Sequence, residues 1–214
     1  MNKSTIVTIL STAALGLMKK HSGSFGLHYR PETLDDVLNF WEKDRKRVTT
    51  LHLDAMFIKE IPNGLFDGFD NLEVLVLDNN NLTEIPESIT NIRTLKKLYL
   101  SGNRIKSIPH HIKNLENLEF LGLGSNEIQY IAPEIGNLVN LEHLYLQENR
   151  IESLPREIGN LIHLDHLALS ENENLSYPDQ RTALFWAKNL PKNIMREIIF
   201  YARKHRSSSQ LRKF

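Results

Sequence analysis

The sequence predicts an α/β solenoid, in which short strands and return segments wind around one continuous core. The pattern L-x-x-L-x-L-x-x-N recurs every 23 residues, opening at Leu72, Leu95, Leu118, Leu141 and Leu164. Units with a fixed period of this length cannot bury their apolar side chains alone, so they stack on their neighbours. The first and last units are less regular, as expected at the ends of a stack.

Composition excludes several functions before any motif is considered. The chain has 214 residues and no cysteine, so disulfides, cysteine nucleophiles and cysteine-based zinc sites are all absent. Its net charge is zero but unevenly spread: residues 1–47 carry 8 basic and 5 acidic groups, residues 48–177 carry 9 and 19, and residues 178–214 carry 9 and 2. Either the basic ends neutralise the acidic middle, or the charges attract partners.

Residues 1–30 are predicted to be a leader and linker. Residues 5–18 are apolar but too short to span a bilayer, and they have the length of the apolar region of a signal peptide. Lys19 and Lys20 argue against efficient cleavage there. We expect a cytoplasmic protein, and an exported one if residues 1–18 act as a signal peptide. Residues 22–29 are interpreted as a linker because of Gly23 and Gly26.

Helical caps are predicted at both ends of the solenoid, because terminal coils must be covered. Residues 31–47 form the N-terminal cap, with a helix over 33–46 whose apolar residues recur at helical spacing: Leu34, Val37, Leu38 and Trp41. Residues 178–214 form a C-terminal cap and a basic tail. Pro191 separates two predicted helices there, over 181–189 and 192–206.

Six repeats are predicted over residues 48–177, the first and last degenerate. Leu75 and Leu77 have period two, so each repeat has a short strand with its leucines inward and its third and fifth positions outward. An asparagine at position nine is predicted to bond the backbone of its own and neighbouring coils, forming a structural ladder of Asn80, Asn103, Asn126, Asn149 and Asn172. Met56 stands at this position in the first repeat.

Residues 95–117 read LxxLxLxxNxIxxIPxxIxNLxx, and the chain is therefore identified as a member of the leucine-rich repeat superfamily. The 23-residue form resembles the Ras-associated intracellular proteins and many bacterial leucine-rich repeat proteins. The EIGNL segments at 134–138 and 157–161 are typical of that type. The resemblance implies a right-handed, curved superhelix with a concave parallel sheet and a function in protein–protein interaction. It implies no reaction.

Motifs for catalysis are missing, and we expect no catalytic residue, no cofactor, no metal and no small-molecule substrate. The chain has no phosphate-binding glycine loop, no G-x-S-x-G and no H-E-x-x-H. His110 and His111 are neighbours without a third ligand, which favours ordinary surface residues. His143 and His166 occupy the same position in adjacent repeats, where a metal pair is the alternative to ligand contact or plain exposure.

The outward positions of the strands are unusually aromatic. Tyr99 and Tyr145 flank Gly122, with Phe120 beside the gap, and a notch at Gly122 is expected. Aromatic residues are common anchors of protein interfaces, so we predict a partner-binding concave face. Its predicted residues are His52, Val76, Lys97, Tyr99, Phe120, His143, Tyr145 and His166. The alternative is ordinary cross-strand packing of half-exposed rings.

The sequence therefore predicts a monomeric, non-enzymatic protein–protein interaction module, with a role in scaffolding or signalling. One alternative is an exported, adhesin-like protein that contacts a host or neighbouring cell. Two others are an enzyme and a protein whose basic residues 192–213 contact nucleic acid or membrane. The partner's identity is not encoded in any motif.

Overall fold

The computed structural model describes residues 27–39, 45–176 and 178–204, and a seven-stranded parallel sheet runs through them. Its strands are β1 (Leu27–Tyr29), β2 (Val48–His52), β3 (Val74–Val76), β4 (Lys97–Tyr99), β6 (Phe120–Gly122), β8 (His143–Tyr145) and β9 (His166–Ala168). They lie side by side in chain order. The predicted solenoid with a parallel sheet is confirmed.

Register between strands follows the 23-residue period. The central leucines are paired from coil to coil, in the order Leu51, Leu75, Leu98, Leu121, Leu144 and Leu167. Residues at one repeat position therefore form columns that run across the sheet. The inward leucines and the isoleucines of the return segments belong to one continuous buried cluster. Burying each such side chain contributes about 1.5–3 kcal/mol, so the stack is the main source of stability.

Return segments on the opposite side of the coils are short and helical. They are α2 (Glu87–Thr90) and three 3-10 helices, at His110–Asn114, Pro133–Asn137 and Arg156–Asn160. Proline precedes three of them, and in the fourth coil Ala132 takes that place while Pro133 begins the 3-10 helix. A second, two-stranded parallel sheet of β5 (Ser107–Ile108) and β7 (Tyr130–Ile131) links two coils on this side.

The asparagines at position nine are buried, and each bridges two coils by hydrogen bonds. Asn126 shows the geometry: its Oδ1 accepts the Ile105 N–H at 2.9 Å, and its Nδ2 donates to the Leu100 and Leu123 carbonyls at 3.0 and 3.1 Å. Asn80, Asn103, Asn149 and Asn172 make the equivalent bonds. Each asparagine thus satisfies an N–H of the coil before it, which no strand pairing reaches.

Methionine is tolerated at position 56 because each ladder asparagine bonds the backbone of the coil that precedes its own. Asn80, in the second coil, accepts both the Met56 and Ile58 N–H groups, at 3.1 and 2.9 Å. The first coil has no full repeat before it to bridge. An asparagine at position 56 would therefore lack the partner coil that the other five asparagines use.

The N-terminal end departs from the sequence-based expectation. The sequence predicts a linker over residues 22–29, yet Leu27–Tyr29 forms strand β1, paired in parallel with β2. Helix α1 (Leu34–Asn39) follows, and its Leu34 and Val37 are buried in the core cluster. Thr33 begins it, with the Asp36 carboxylate accepting the Thr33 N–H at 2.8 Å. Trp41 and residues 1–26 lie outside the described residues.

Two helices follow the last coil. Asp179 caps the N-terminus of helix α3 (Gln180–Asn189), and its carboxylate accepts the Arg181 and Thr182 N–H groups. Helix α4 (Lys192–Lys204) follows it and contacts β9. Buried Trp186 donates its indole N–H to the Arg156 carbonyl at 2.7 Å, which ties α3 to the third 3-10 helix. The helices of the described residues are too short or too polar to cross a membrane.

The asparagine ladder predicts a large effect of Asn126→Ala. The substitution removes the acceptor of the buried Ile105 N–H and the hydrogen bonds that the Asn126 amide donates. The Leu100 and Leu123 carbonyls each keep a bond from a neighbouring asparagine, Asn103 or Asn149. Leaving the Ile105 N–H unsatisfied costs about 1–3 kcal/mol and the lost bonds add about 1 kcal/mol, so we expect urea denaturation to show a loss of about 2–4 kcal/mol. Exposed Asn137 serves as the control, and Asn137→Ala should cost no more than about 0.5 kcal/mol. Equal losses in both variants would contradict the ladder.

Trp186→Ala should loosen the C-terminal end of the stack. The change removes a buried ring and a hydrogen-bond donor, and truncating a buried tryptophan costs about 3–5 kcal/mol. Because coils contact only their neighbours, amide hydrogen exchange should rise mainly in residues 156–198 and much less in β3 and β4. Leu184→Ala in the same helix is the control, since Leu184 is 57% exposed. Uniform acceleration along the chain would be evidence against nearest-neighbour coupling.

Candidate functional site

The open face of the seven-stranded sheet presents the third and fifth positions of each repeat. In β3, β4, β8 and β9 the central leucine is buried, and the residues on both sides of it are partly or fully exposed. This alternation follows from the strand geometry, in which successive side chains point to opposite faces. The side chains of the predicted binding face therefore lie in two parallel columns on one surface.

Five aromatic or imidazole rings form a continuous ring row on this face: Tyr99, Phe120, His143, Tyr145 and His166. Phe120 lies between the tyrosines, with ring centroids 4.5 Å from Tyr99 and 5.2 Å from Tyr145. Tyr145 continues to His166 at 5.0 Å, and His143 lies 6.1 Å from Phe120 and 6.2 Å from His166. These separations are within the usual range for favourable ring contacts. The ring row spans β4, β6, β8 and β9.

Gly122 does not leave the open notch that the sequence suggested. A Cβ placed on it would lie 3.1 Å from a ring carbon of Phe120 and 3.4 Å from the Ser101 hydroxyl. Gly122 is buried, and the Phe120 ring lies over it. Glycine at this position thus leaves room for the Phe120 ring between the two tyrosines. The surface is a nearly continuous aromatic strip rather than two rings around a gap.

The other predicted face residues lie outside the ring row. His52 and Val76 are aligned with Tyr99 along the fifth-position column, and Lys97 is exposed next to Phe120 in the third-position column. His52 Nδ1 is 3.7 Å from Asp54 Oδ1. The structure therefore brings five of the eight predicted residues into ring contact and leaves three toward the N-terminal half of the face.

An acidic pair beside the ring row was missed by the sequence analysis. Asp54 and Asp78 occupy position seven of adjacent coils, and Arg30 Nη2 contacts Asp54 Oδ2 at 2.7 Å. Asp78 Oδ1 accepts the Ser101 N–H at 2.6 Å. Burial raises the pKa of Asp78, Asp54 adds to the rise, and the Ser101 bond opposes it. Reading the columns of the repeat, rather than the strands alone, would have revealed this pair.

Tyr99 remains a neutral hydroxyl in this setting. Burial raises its pKa, and the nearby Asp78 and Tyr145 raise it further. The phenol therefore keeps its proton well above neutral pH and can donate one hydrogen bond to a ligand. Its ring at the same time offers an apolar surface.

Two histidines of the described residues lie near polar or charged groups. Among the described residues, no group of three or more His, Asp or Glu side chains is arranged to hold a metal ion. His111 Nδ1 lies 3.0 Å from the Thr90 hydroxyl, and burial followed by the neighbouring His110 lowers its pKa. At the C-terminal end of the sheet, Glu197 of α4 lies near His166. Burial raises the pKa of Glu197, and the interaction with His166 opposes this rise.

Stacked coils with one open sheet face define the class of this protein, a solenoid repeat protein. It belongs to the leucine-rich repeat family, because the family model described as "Leucine rich repeat" matches residues 46–105, 93–151 and 116–173, more than half of the chain. Such domains are typically protein–protein interaction modules without enzymatic activity. No curated protein sequence matches the chain.

Solved structures with the same fold include plant receptors and a bacterial internalin. The plant peptide hormone receptor RGFR1, in complex with RGF2, is 32% identical over 62% of this chain, with a TM-score of 0.53. The LRR ectodomain of GASSHO1/SCHENGEN3 from Arabidopsis thaliana, in complex with CASPARIAN STRIP INTEGRITY FACTOR 2, is 29% identical over 63%, with a TM-score of 0.54. Internalin C2 from Listeria monocytogenes is 26% identical over 60%, with a TM-score of 0.53.

Each similarity covers only part of the larger protein. The matches account for 24% of the RGFR1 chain, 18% of the GASSHO1/SCHENGEN3 chain and 54% of the internalin C2 chain. They therefore describe a shared stack of repeats.

Asp78→Asn should stabilise the protein at neutral pH. The raised pKa of Asp78 means that the folded state disfavours the ionised carboxylate, so Asp78 weakens folding as the pH rises from about 4 through its folded pKa. Asparagine keeps an oxygen for the Ser101 N–H but carries no charge. Thermal denaturation from pH 3 to pH 7 should show an advantage of the variant that is largest at pH 7 and fades on acidification.

Asp70→Asn is the matched control, because the Asp70 side chain is 61% exposed. It should leave the pH dependence of stability nearly unchanged. If Asp78→Asn instead lowered stability at pH 7, the Asp78 carboxylate would be a stabilising charge and our account of its environment would be wrong.

Proposed function

We propose that this chain is a non-enzymatic recognition module that binds a partner protein through the concave face of its repeats, centred on Tyr99, Phe120 and Tyr145. The single observation that supports it best is the ring row, which spans four strands of an open sheet. Rings at solvent-facing positions are poorly explained by folding alone, since the leucines beneath them already supply the core. Their area and rigidity suit them to anchor a partner.

The shape of the surface supports the same proposal. The rings are half-buried by one another, so they hold fixed orientations before any partner arrives. A rigid, pre-formed surface loses little conformational entropy on binding. Open parallel strands also allow an extended or folded partner to lie across several coils at once.

The similar solved structures give further support. RGFR1 and the GASSHO1/SCHENGEN3 ectodomain were each determined as a complex with another molecule, RGF2 and CASPARIAN STRIP INTEGRITY FACTOR 2 respectively. Both contain a repeat stack similar to the one in this chain. By analogy, we propose a peptide or protein partner here, with the outward columns determining which one. A scaffolding or signalling role follows from binding without catalysis.

The double substitution Tyr99→Ala with Tyr145→Ala tests the proposal. Removing two anchoring rings should weaken partner binding by more than about tenfold, because such anchors contribute about 2 kcal/mol or more each. Partners are first captured on the immobilised wild-type chain from its native source, and their affinities are then measured for both proteins by titration. Thermal denaturation verifies that the variant is folded.

Tyr130→Ala is the matched control. Tyr130 is 58% exposed but lies in β7, on the opposite side of the coils. This variant should capture the same partners with wild-type affinity. If the folded double variant also retained that affinity, the concave rings would have no part in recognition.

A further inference from the structure

Carboxylates flank the C-terminal half of the ring row. At position two of the repeat, Glu119, Glu142 and Asp165 form a column along one side of the rings, one per strand. Neighbouring strands in a sheet are about 4.8 Å apart, so these carboxylates form a closely spaced acidic column. Glu142 and Asp165 are exposed. Neither β6, β8 nor β9 carries a lysine or arginine.

Ion pairs of the described residues do not neutralise Glu142 and Asp165, the two C-terminal members of this acidic column. Lys96 pairs with Glu73 at 3.0 Å at the N-terminal end of the same column and also interacts with the charge of Glu119. Arg150 pairs with Glu127 at 3.8 Å, outside it. Within the described ranges, no basic side chain lies within ion-pair distance of Glu142 or Asp165. Like charges repel one another along the column, and this repulsion would be relieved by a cation from outside.

The surface next to the column has room for such a cation. Glu119 and Glu142 line a depression that is bounded by Lys96, Asn140 and His163. Glu119 and Glu142 directly precede the ring-row residues Phe120 and His143 in the chain. A cationic side chain lying over the rings could therefore reach these carboxylates.

We propose that the concave face binds an arginine-bearing segment of the partner protein, with guanidinium groups lying over Phe120 and Tyr145 and paired with Glu142 and Asp165. This inference rests on the proposed function and adds the chemistry of the partner. Guanidinium is planar, stacks on aromatic rings and donates to carboxylates in a fixed fork, so it matches both features at once. The excess of acidic residues in 48–177 adds long-range attraction for a basic segment.

A direct test uses the full chain and a fluorescein-labelled hexa-arginine peptide, with hexacitrulline as a neutral probe of similar shape. Fluorescence anisotropy should show binding of hexa-arginine that weakens with salt, and at least about tenfold weaker binding of hexacitrulline. Glu142→Gln with Asp165→Asn should reduce hexa-arginine affinity by about fivefold or more. Tyr99→Ala with Tyr145→Ala should also reduce it, which net charge alone would not explain.

The matched control is Glu84→Gln with Glu152→Gln, which removes the same charge from exposed positions outside the strands of the sheet. It should change the affinity by less than about twofold, because distant surface charges are screened by salt. Equal weakening in the two double variants would overturn the proposal in favour of general charge attraction. Absence of hexa-arginine binding would overturn it too.

Failure of the arginine proposal can be distinguished from failure of the proposed function. The captured partner can depend on Tyr99 and Tyr145 while both carboxylate variants bind it equally well. In that case the concave face binds a partner, and the proposal that the partner contributes an arginine-bearing segment is wrong. If capture does not depend on the tyrosines either, both proposals fail.

Discussion

The structure depends on the hydrogen bonds and apolar contacts that each coil makes with its neighbour. The bend after each strand leaves backbone groups that no strand pairing satisfies, and the asparagine of the next coil satisfies them. The leucines beneath the sheet are buried only because another coil lies beside them. A single coil would expose both its leucines and the unsatisfied backbone groups of its bend. Each coil can therefore fold only when it is stacked on a neighbour. The 23-residue period makes stacking possible because it places equivalent residues of successive coils side by side.

This constraint also explains the bend conformation. The residue before the asparagine has positive φ in coil after coil, at Asn79, Gly102, Ser125, Glu148 and Glu171. Such a backbone costs about 1–2 kcal/mol for a residue other than glycine. Ladder and core contacts hold it even where the residue is glutamate. The inward and bend positions are thus fixed by stacking, while the outward columns are free to differ. Recognition is expected to reside in those columns, where the ring row and the acidic column lie.

Much of the fold could be predicted from the sequence because residues at the same position of successive repeats contact each other in the stack. The sequence period therefore predicts the contacts between coils as well as the strands. Strands, register and the asparagine column all follow from one period. Strand β1 could not be predicted, because Leu27–Tyr29 has no repeat pattern and becomes a strand only by pairing with β2. The two-residue strands β5 and β7 are too short for any periodicity. At the site, the aromatic residues could be predicted from the sequence. Their contacts could not, because these depend on side-chain rotamers. The position of the Phe120 ring over Gly122 and the partial burial of Asp78 are therefore seen only in the structure.

The most direct test of stacked coils with an outward aromatic face is thiol labelling of single cysteines, for which a chain without native cysteine is well suited. Lys97→Cys, Leu98→Cys and Tyr99→Cys place the label at three consecutive positions of β4. Our account predicts rapid native-state labelling at positions 97 and 99, and labelling at position 98 only upon unfolding, because Leu98 is fully buried. Rapid labelling at position 98 in the folded protein, or protection at position 99 equal to that at 98, would contradict it.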